Sequence, residues 1–484
     1  MENGKIMVKN LVENGKMKKK IWWQSENQYL CNVNPKHYPD MTYFKRKTYD
    51  KLLQWKKQRD GATALLIQGA RRIGKSTVAE QFAKQQYRSY MLIDFSVAPD
   101  EVHALFHDIS NLDYIFMRLQ FIYKVQLFER QSVIIFDEVQ KEPLARQAIK
   151  HLVKDHRYDY IETGSLISVH KSSVDIVIPS EETKVDMFPM DYEEFHWALD
   201  DTITIPLLHE AFEKRIPLGD AVHRRMMRDF RLYMLVGGMP QAVQKYIDTN
   251  NLAAVDLVKR DIISLYEEDL LKLDDQSKAL AMYDAIPAQL SKNASRFQVA
   301  AAIPNEKANR ATHVLKLIED SMAANIAYHS NDPNIGLALT KDNEKFKMYT
   351  ADTGMFVTLA FKDKDFTENT IYERLLSDKL KANLGYVYEN VIAQMLRASG
   401  KQLFYHTIPI DGGKKYYEID FLIPDGFKVL PIEVKSSGYK THASLDAFCQ
   451  KFSSRIQNRC LIYTKDLRRE NGIDYLPVYM TMFL

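Results

Sequence analysis

The sequence has few cysteines and no long apolar run, and both shortages exclude classes of protein. Its three cysteines, Cys31, Cys449 and Cys460, are scattered singly. They therefore supply neither a disulfide framework nor a zinc-ligand spacing, and we expect a cytoplasmic protein in a reducing compartment. Because no apolar run approaches the roughly 18 residues that a membrane helix needs, we expect no membrane partner.

The sequence also lacks an excess of charge of one sign. It carries 66 Lys and Arg against 63 Asp and Glu, a net charge of +3, so the overall charge does not indicate a nucleic-acid binder, although a local basic face stays compatible. The lysine-rich N-terminus has no following apolar segment, so we do not expect it to be a signal peptide. It predicts a flexible solvated arm or, alternatively, a tail that follows phosphates.

A glycine-rich loop between an apolar run and a helical stretch is the most informative motif. Residues 62–67 predict a buried strand, residues 77–85 predict a helix, and between them lies a Gly-x4-Gly-Lys-Ser pattern. Backbone N–H groups of such a loop surround phosphate oxygens, and the helix N-terminus adds partial positive charge. Lys75 is expected at the β- and γ-phosphates and Ser76 on Mg²⁺. The predicted nucleotide-binding residues are Gly69, Ala70, Arg71, Arg72, Ile73, Gly74, Lys75, Ser76 and Thr77.

Two further apolar runs end in polar residues suited to phosphate chemistry. Residues 132–136 predict a buried parallel strand that ends at Asp137 and Glu138. We expect Asp137 to hold Mg²⁺ and Glu138 to act as general base on the attacking water. The next strand, at 158–162, ends at Thr163-Gly164-Ser165, where Thr163 or Ser165 either senses the γ-phosphate or merely ends the strand.

The chain is long enough for roughly three domains, and its patterning changes along its length. Strands alternate with helices to about residue 200, which predicts a parallel doubly wound α/β sheet. Gly237-Gly238-Met239-Pro240 predicts a tight turn between helices or, in an ATPase lid, a moving one. The predicted divisions are an arm (1–40), an ATPase core (41–200), a helical lid (201–275), a winged-helix-like module (276–360), a linker (361–380) and a nuclease-like domain (381–484).

A second group of charged residues lies near the C-terminus. Residues 417–423 and 429–436 predict two strands joined by a turn, and the period of two puts Glu433 and Lys435 on one face. With Asp420 on the neighbouring strand, Glu433 is expected to share a Mg²⁺, and Lys435 to activate water against a phosphodiester. Glu389, from an upstream helix, is expected at the same metal. The alternative is a hairpin whose charges only face water.

These motifs resemble a widespread family of prokaryotic AAA-type ATP-binding proteins. In that family a P-loop ATPase precedes a winged helix and a C-terminal domain similar to the PD-(D/E)-x-K restriction-endonuclease-like fold. Besides the P-loop and the acidic strand, the resemblance is carried by Thr163-Gly164-Ser165, Pro189, Glu194-Phe195, Tyr233, Gly237-Gly238-Met239-Pro240, Tyr349, Asp352-Thr353-Gly354, Glu418-Ile419-Asp420-Phe421 and Glu433-Val434-Lys435.

The resemblance implies ATP and Mg²⁺ as cofactors, with hydrolysis on Lys75, Ser76, Asp137 and Glu138. It also implies a nuclease-like domain that acts on, or is regulated by, DNA or RNA. The alternative function is a regulatory ATPase switch whose C-terminal domain binds a partner without catalysis. No arginine after the Thr163-Gly164-Ser165 strand is assignable as a trans finger, which argues against a hexameric ring and leaves other oligomers open.

Overall fold

The computed structural model describes residues 6–13, 16–23, 43–164, 177–292, 294–334, 336–376, 384–410 and 415–484, the first two ranges as backbone only. Those two ranges are strands β1 (Ile6–Glu13) and β2 (Lys16–Trp23), which pair antiparallel. The sequence predicted a flexible arm here, whereas the described part of it forms a hairpin. Both strands contain β-branched residues, and β2 also contains Trp22 and Trp23; such residues favour extended pairing.

A parallel sheet forms the N-terminal half of the described chain. Its strands are β3 (Ala64–Gln68), β4 (Ser89–Asp94), β5 (Ser132–Asp137), β6 (Asp159–Gly164) and β7 (Glu182–Asp186). The order across the sheet is β4-β5-β6-β3-β7, and every pairing is parallel. This arrangement confirms the predicted parallel α/β sheet.

Helices cover both faces of this sheet. Leu65 and Ile67 of β3 pack into one core, and Leu66 between them packs into the other, as the alternation of a strand requires. The helices of this region are α1 (Lys47–Arg59), α2 (Lys75–Gln86), α3 (Asp100–Leu105), α4 (Leu112–Tyr123) and α5 (Pro143–Asp155).

The middle of the chain is helical, as its patterning predicted. After α6 (Tyr192–Ala198) and α7 (Thr204–Lys214), α8 (Asp220–Val236) and α9 (Pro240–Thr249) flank the Gly237–Met239 turn. The helices that follow are α10 (Leu252–Leu273), α11 (Lys278–Asp284), α12 (Ile286–Ser291), α13 (Val299–Ala302) and α14 (Thr312–Ser321).

A mixed sheet organises the C-terminal half. Its strands are β8 (Ala324–Ser330), β9 (Lys341–Thr350), β10 (Leu403–Ile410), β11 (Lys415–Asp425), β12 (Lys428–Lys435), β13 (Cys460–Tyr463), β14 (Arg468–Glu470) and β15 (Ile473–Pro477). Their order is β14-β15-β13-β12-β11-β10-β8-β9.

This sheet crosses the division predicted between residues 276–360 and 381–484. β8 and β9 were expected as the hairpin of a separate winged-helix module, but β8 pairs in parallel with β10. The pairing makes one sheet of the two segments because β8 has a partner on each edge. The hairpin of β8 and β9 is therefore the edge of the C-terminal sheet and not a separate wing.

The predicted linker, 361–380, is also ordered over its described part. After α15 (Thr353–Leu359), helix α16 (Thr370–Leu376) buries Ile371, Tyr372 and Leu375. Helices α17 (Gly385–Ala398) and α18 (Ala443–Lys451) pack against the C-terminal sheet. Among the described residues, no helix is both long and apolar enough to cross a membrane.

Candidate nucleotide site and C-terminal charged cluster

The glycine-rich loop joins the end of β3 to the start of α2, as predicted. Gly74 is the N-cap of α2 and has a φ of 92°, which a residue without a Cβ adopts without strain. At Gly69, a Cβ would collide with the carbonyl oxygen of Met187 and with the side chain of Ile73. The two glycines therefore let the loop turn sharply and pack closely on the segment after β7.

Lys75 places its ammonium inside this loop. Its Nζ donates hydrogen bonds to the carbonyl oxygens of Gly69 at 3.0 Å and Ala70 at 2.9 Å. Burial lowers the pKa of Lys75 to about 8, against the opposing charges of Glu138 and Asp137. The ammonium therefore lies between the loop backbone and the acidic pair, where a bound triphosphate would be neutralised.

Ser76, Asp137 and Thr163 meet at the carboxyl ends of adjacent strands. The Ser76 hydroxyl donates to Asp137 Oδ1 at 2.6 Å, and the Thr163 hydroxyl donates to the same oxygen. Ligands of open α/β sheets bind at this edge. Hydroxyl and carboxylate oxygens are also ligands that Mg²⁺ accepts, so the residues present fit the predicted ion.

Glu138 follows Asp137 in a left-handed backbone conformation, with a φ of 52°. This conformation is uncommon for a residue with a side chain and often marks a functional position. The Gln140 side chain donates a hydrogen bond to Glu138 Oε2, which restricts the orientation of the carboxylate. Ser165, the other polar residue predicted near the γ-phosphate, lies outside the described residues.

Arg46 supports the glycine-rich loop, a role that the sequence did not indicate. Its guanidinium donates to the carbonyl oxygens of Ile73 at 2.7 Å and Phe188 at 2.6 Å. It also pairs with Glu194 Oε1 at 3.2 Å, and Glu194 forms a capping box with Asp191 at the start of α6. A single arginine ahead of a helix gives no sequence signal, because Phe188 lies 142 residues away and Glu194 lies further still.

The lid (201–275) also reaches the loop. The Tyr266 hydroxyl of α10 donates to the carbonyl oxygen of Arg71 at 2.9 Å, and the Arg71 guanidinium contacts Asp269 at 3.0 Å. Two turns of one helix thus hold the backbone and the side chain of one predicted phosphate-binding residue. A change in the conformation of the loop would therefore alter contacts of α10 directly.

A buried polar junction connects the lid to the C-terminal half. The Asp352 carboxylate accepts hydrogen bonds from the backbone N–H groups of Gly238 and Met355. Gln394 of α17 donates to Asp352 at 3.4 Å and to the Tyr233 hydroxyl at 2.9 Å. We call Tyr233, Gly238, Asp352 and Gln394 the junction. Burial raises the pKa of Asp352, as expected for a carboxyl group removed from water.

Lys259 lies beside the junction and is fully buried. Its ammonium donates to the carbonyl oxygens of Leu235 at 2.7 Å and Gly354 at 3.1 Å, and to the Tyr372 hydroxyl. Burial lowers the pKa of Lys259 to about 8, although Asp256 and Asp352 oppose the shift. The lysine therefore ties the end of α8, the start of α15 and the helix α16 together.

The C-terminal hairpin forms as predicted, but its charges are divided. β11 and β12 pair antiparallel with Phe421 opposite Ile432. Asp420 Oδ2 accepts a hydrogen bond from the backbone N–H of Val434 at 2.7 Å, whereas Glu433 Oε1 pairs with Lys435 at 2.8 Å. Among the described residues, no three carboxylate, histidine or cysteine side chains are arranged around one metal position. The metal set of Glu389, Asp420 and Glu433 therefore stays a prediction.

A lysine that the sequence analysis missed lies among these acids. Lys347 of β9 bonds to Glu418, and its Nζ is 3.6 Å from Glu389 Oε2. Although burial opposes it, the charges of Glu418 and Glu389 raise the pKa of Lys347 well above its ordinary value. Burial and the charge of Glu389 raise that of Asp420. We call Lys347, Glu389, Glu418 and Asp420 the charged cluster.

Comparison with family models divides the chain into three parts. Residues 62–196 match an AAA domain, residues 227–365 match a domain of unknown function (DUF8612), and residues 384–480 match another (DUF4143). The N-terminal α/β region is therefore an AAA-type P-loop domain. A search of curated proteins found no match.

Solved structures resemble the chain only loosely. A Walker-type ATPase of Pyrococcus abyssi is 14% identical over 66% of this chain and 96% of its own, with a TM-score of 0.40. The Thermotoga maritima Holliday junction branch migration motor RuvB is 13% identical over 54% and 83%, with a TM-score of 0.25. Aeropyrum pernix ORC2 in its ADP form is 12% identical over 72% and 97%, with a TM-score of 0.25. These scores support no functional conclusion.

Proposed function

We propose that this protein is a Mg²⁺-dependent ATPase whose nucleotide state is passed to its C-terminal domain. The 2.6 Å contact between Ser76 and Asp137 carries the proposal. It joins two predicted Mg²⁺ ligands from separate elements beside the buried ammonium of Lys75. The match of residues 62–196 to an AAA domain supports the same reading.

Each residue of the site has a distinct task in this proposal. Backbone N–H groups of Gly69 to Thr77 hold the phosphates, and Lys75 neutralises charge that develops on the transferred group. Ser76 and Asp137 would hold Mg²⁺, which would supply positive charge against the charge that develops on the phosphates. Glu138 accepts a proton from the attacking water.

The junction supports the second part of the proposal. The carbonyl oxygen of Gly238 accepts a hydrogen bond from the backbone of Met190 at 2.7 Å. Met190 lies three residues after Met187, against which Gly69 packs. Gly238 in turn bonds to Asp352, next to the sheet of the C-terminal half. A shift of the loop on nucleotide binding would thus be transmitted to α17 through a short series of packing contacts and hydrogen bonds.

For the C-terminal domain, we favour partner binding without catalysis over nucleic-acid cleavage. The divided charges support this choice, because Glu433 is paired with Lys435 instead of facing Asp420 across an ion. Cleavage of DNA or RNA that requires Mg²⁺, survives Lys75→Ala and disappears with Asp420→Ala would reverse the choice. DNA or RNA as the bound partner stays a prediction, and so does any oligomer.

Phosphate release with and without Mg²⁺ tests the ATPase. We expect Lys75→Ala to lower turnover by about 100- to 1000-fold, since it removes a donor aimed at developing charge. Lys84→Ala is the matched control, because Lys84 lies on the same helix but pairs at the surface with Glu80. Turnover that is absent in the unaltered protein, or that persists after Lys75→Ala, would contradict the proposal.

A further inference from the structure

We propose that the ammonium of Lys347 takes the place of a divalent cation in the charged cluster, so that this site binds no Mg²⁺. The inference concerns the C-terminal sheet alone and does not depend on ATP hydrolysis. It rests on where four side chains lie and on which partners their oxygens already have.

The lysine comes from a different part of the chain than the predicted motif. Lys347 lies on β9, next to the buried residues Phe346 and Met348, and its side chain is only 6% exposed. Its ammonium bonds to Glu418 of β11 and lies 3.6 Å from Glu389 of α17. One cation therefore joins two acids on two elements, as a metal ion would.

Two further groups donate hydrogen bonds to acids of the cluster. The Tyr349 hydroxyl donates to Glu389 Oε2 at 3.4 Å, the same oxygen that faces Lys347. Asp420 Oδ2 is occupied by the Val434 backbone N–H at 2.7 Å. One carboxylate oxygen of Glu389 and one of Asp420 are thus already bonded to protein groups.

Glu433, the remaining predicted ligand, is paired through one of its two carboxylate oxygens, and the other is buried without a hydrogen-bond partner. Its side chain is 3% exposed, and its Oε1 pairs with Lys435 at 2.8 Å. Turning Glu433 toward Asp420 would leave the Lys435 ammonium without this partner. Only the Glu433 end of this pair is buried, since the Lys435 side chain is 32% exposed, so the loss falls on a buried carboxylate that would need another cation.

An ammonium and a Mg²⁺ ion cannot share the cluster. Mg²⁺ binds oxygens at about 2.0–2.1 Å with near-octahedral geometry and gives up its waters reluctantly. The Lys347 ammonium lies between the same carboxylates and repels a divalent cation at short range. The Lys347 side chain is also packed on its strand. If it left this position, the buried acids would face one another without a positive charge between them.

Binding of Mn²⁺ to the full chain without nucleotide, measured by calorimetry, tests this inference. We compare the unaltered protein, Lys347→Met and Lys345→Met. Lys345 lies two residues away on the same strand and pairs at the surface with Asp342, so it controls for the loss of one positive charge. We expect Lys347→Met to gain one Mn²⁺ site that the other two proteins lack.

Two results would overturn the inference. One is Mn²⁺ binding by the unaltered protein that disappears with Asp420→Asn. The other is a folded Lys347→Met protein that gains no site. If Lys347→Met alone does not fold, the double variant Lys347→Met/Glu418→Gln removes one charge of each sign, and it must gain Mn²⁺ binding or an Mn²⁺-dependent rise in unfolding temperature for the inference to stand.

Discussion

Asp352 accepts a hydrogen bond from the backbone N–H of Gly238, and this contact joins the two halves of the protein. Gly238 lies between α8 and α9, in a turn where a Cβ would collide with the backbone of Met190. Asp352 caps α15 by accepting from Met355 at 2.9 Å. One carboxylate thus fixes a helix in the C-terminal half and a turn that packs beside the nucleotide site.

Asp352→Asn is expected to weaken this contact while leaving the shape of the side chain. An amide has only one acceptor oxygen, so one of the N–H groups of Gly238 and Met355 loses its partner. A buried unsatisfied donor costs about 1–3 kcal/mol, and we expect a lower unfolding temperature.

The same variant tests the coupling of the two halves. We expect ATP to change the protease sensitivity of the C-terminal half in the unaltered protein but not in Asp352→Asn. Asp365→Asn is the control, since Asp365 is exposed. Equal nucleotide effects in all three proteins would contradict a role for the junction.

Glu138→Gln is expected to separate ATP binding from hydrolysis. The amide keeps the size of the side chain but cannot accept a proton, so turnover should fall by about 100- to 10,000-fold with binding nearly unchanged. Calorimetric ATP binding and phosphate release check the two quantities. Glu129→Gln, at an exposed position, should change neither, and undiminished turnover in Glu138→Gln would remove Glu138 as the base.

Arg46→Met is expected to weaken ATP binding although Arg46 is not predicted to touch the nucleotide. The variant removes hydrogen bonds to Ile73 and Phe188, and each bond from a charged group contributes about 1.5–3 kcal/mol. We expect ATP affinity to fall at least about tenfold.

Two further variants make that result interpretable. Arg59→Ala changes an exposed arginine at the other end of α1 and should leave affinity intact. Arg46→Met/Glu194→Gln also neutralises the acid that Arg46→Met leaves buried. If the double variant folds and binds ATP normally, Arg46 has no part in holding the loop.

Lys259 predicts a specific dependence of stability on pH. Its pKa is about 8 in the folded protein against an ordinary value of 10.5. Between these values the unfolded chain holds the proton that the folded chain has lost, so the contribution of Lys259 to stability rises with pH. Below pH 8 both states are protonated and the cost of burying the charge is constant.

Urea unfolding of the unaltered protein and of Lys259→Met checks this sign. We expect the urea midpoint of the unaltered protein, relative to the variant, to increase from below pH 8 to above it. A relative midpoint that is constant or that falls over this range would show that the ammonium keeps its proton in the folded state. Lys272→Met, on the exposed end of the same helix, should show no such trend.

The local parts of the site could be predicted from the sequence because they depend on residues close together in the chain. The strand, the glycine-rich loop and the helix from Ala64 to Gln86 form one continuous pattern. The positions of Asp137 and Thr163 followed from a rule about parallel strands, whose carboxyl ends share one edge. The capping box of Asp191 and Glu194 is likewise a spacing of three residues.

The contacts that connect distant segments could not be predicted in this way. Arg46, Asp352 and Lys347 meet partners 142, 114 and 71 residues away. The predicted linker at 361–380 separated two segments that in fact share one sheet. The reason is the same, because a parallel pairing between β8 and β10 leaves no local signal in the sequence.

The sequence by itself determined a phosphate-binding loop, an acidic strand end and a parallel α/β sheet, because short-range spacing and alternation dictate them. Only the tertiary structure decided what the acids of the C-terminal half face. Period-two alternation places Glu433 and Lys435 on one side of a strand, but it cannot tell which cation arrives from another strand. Lys347 of β9 is that cation, and the charges of Glu418 and Glu389 favour its protonated form although burial opposes it.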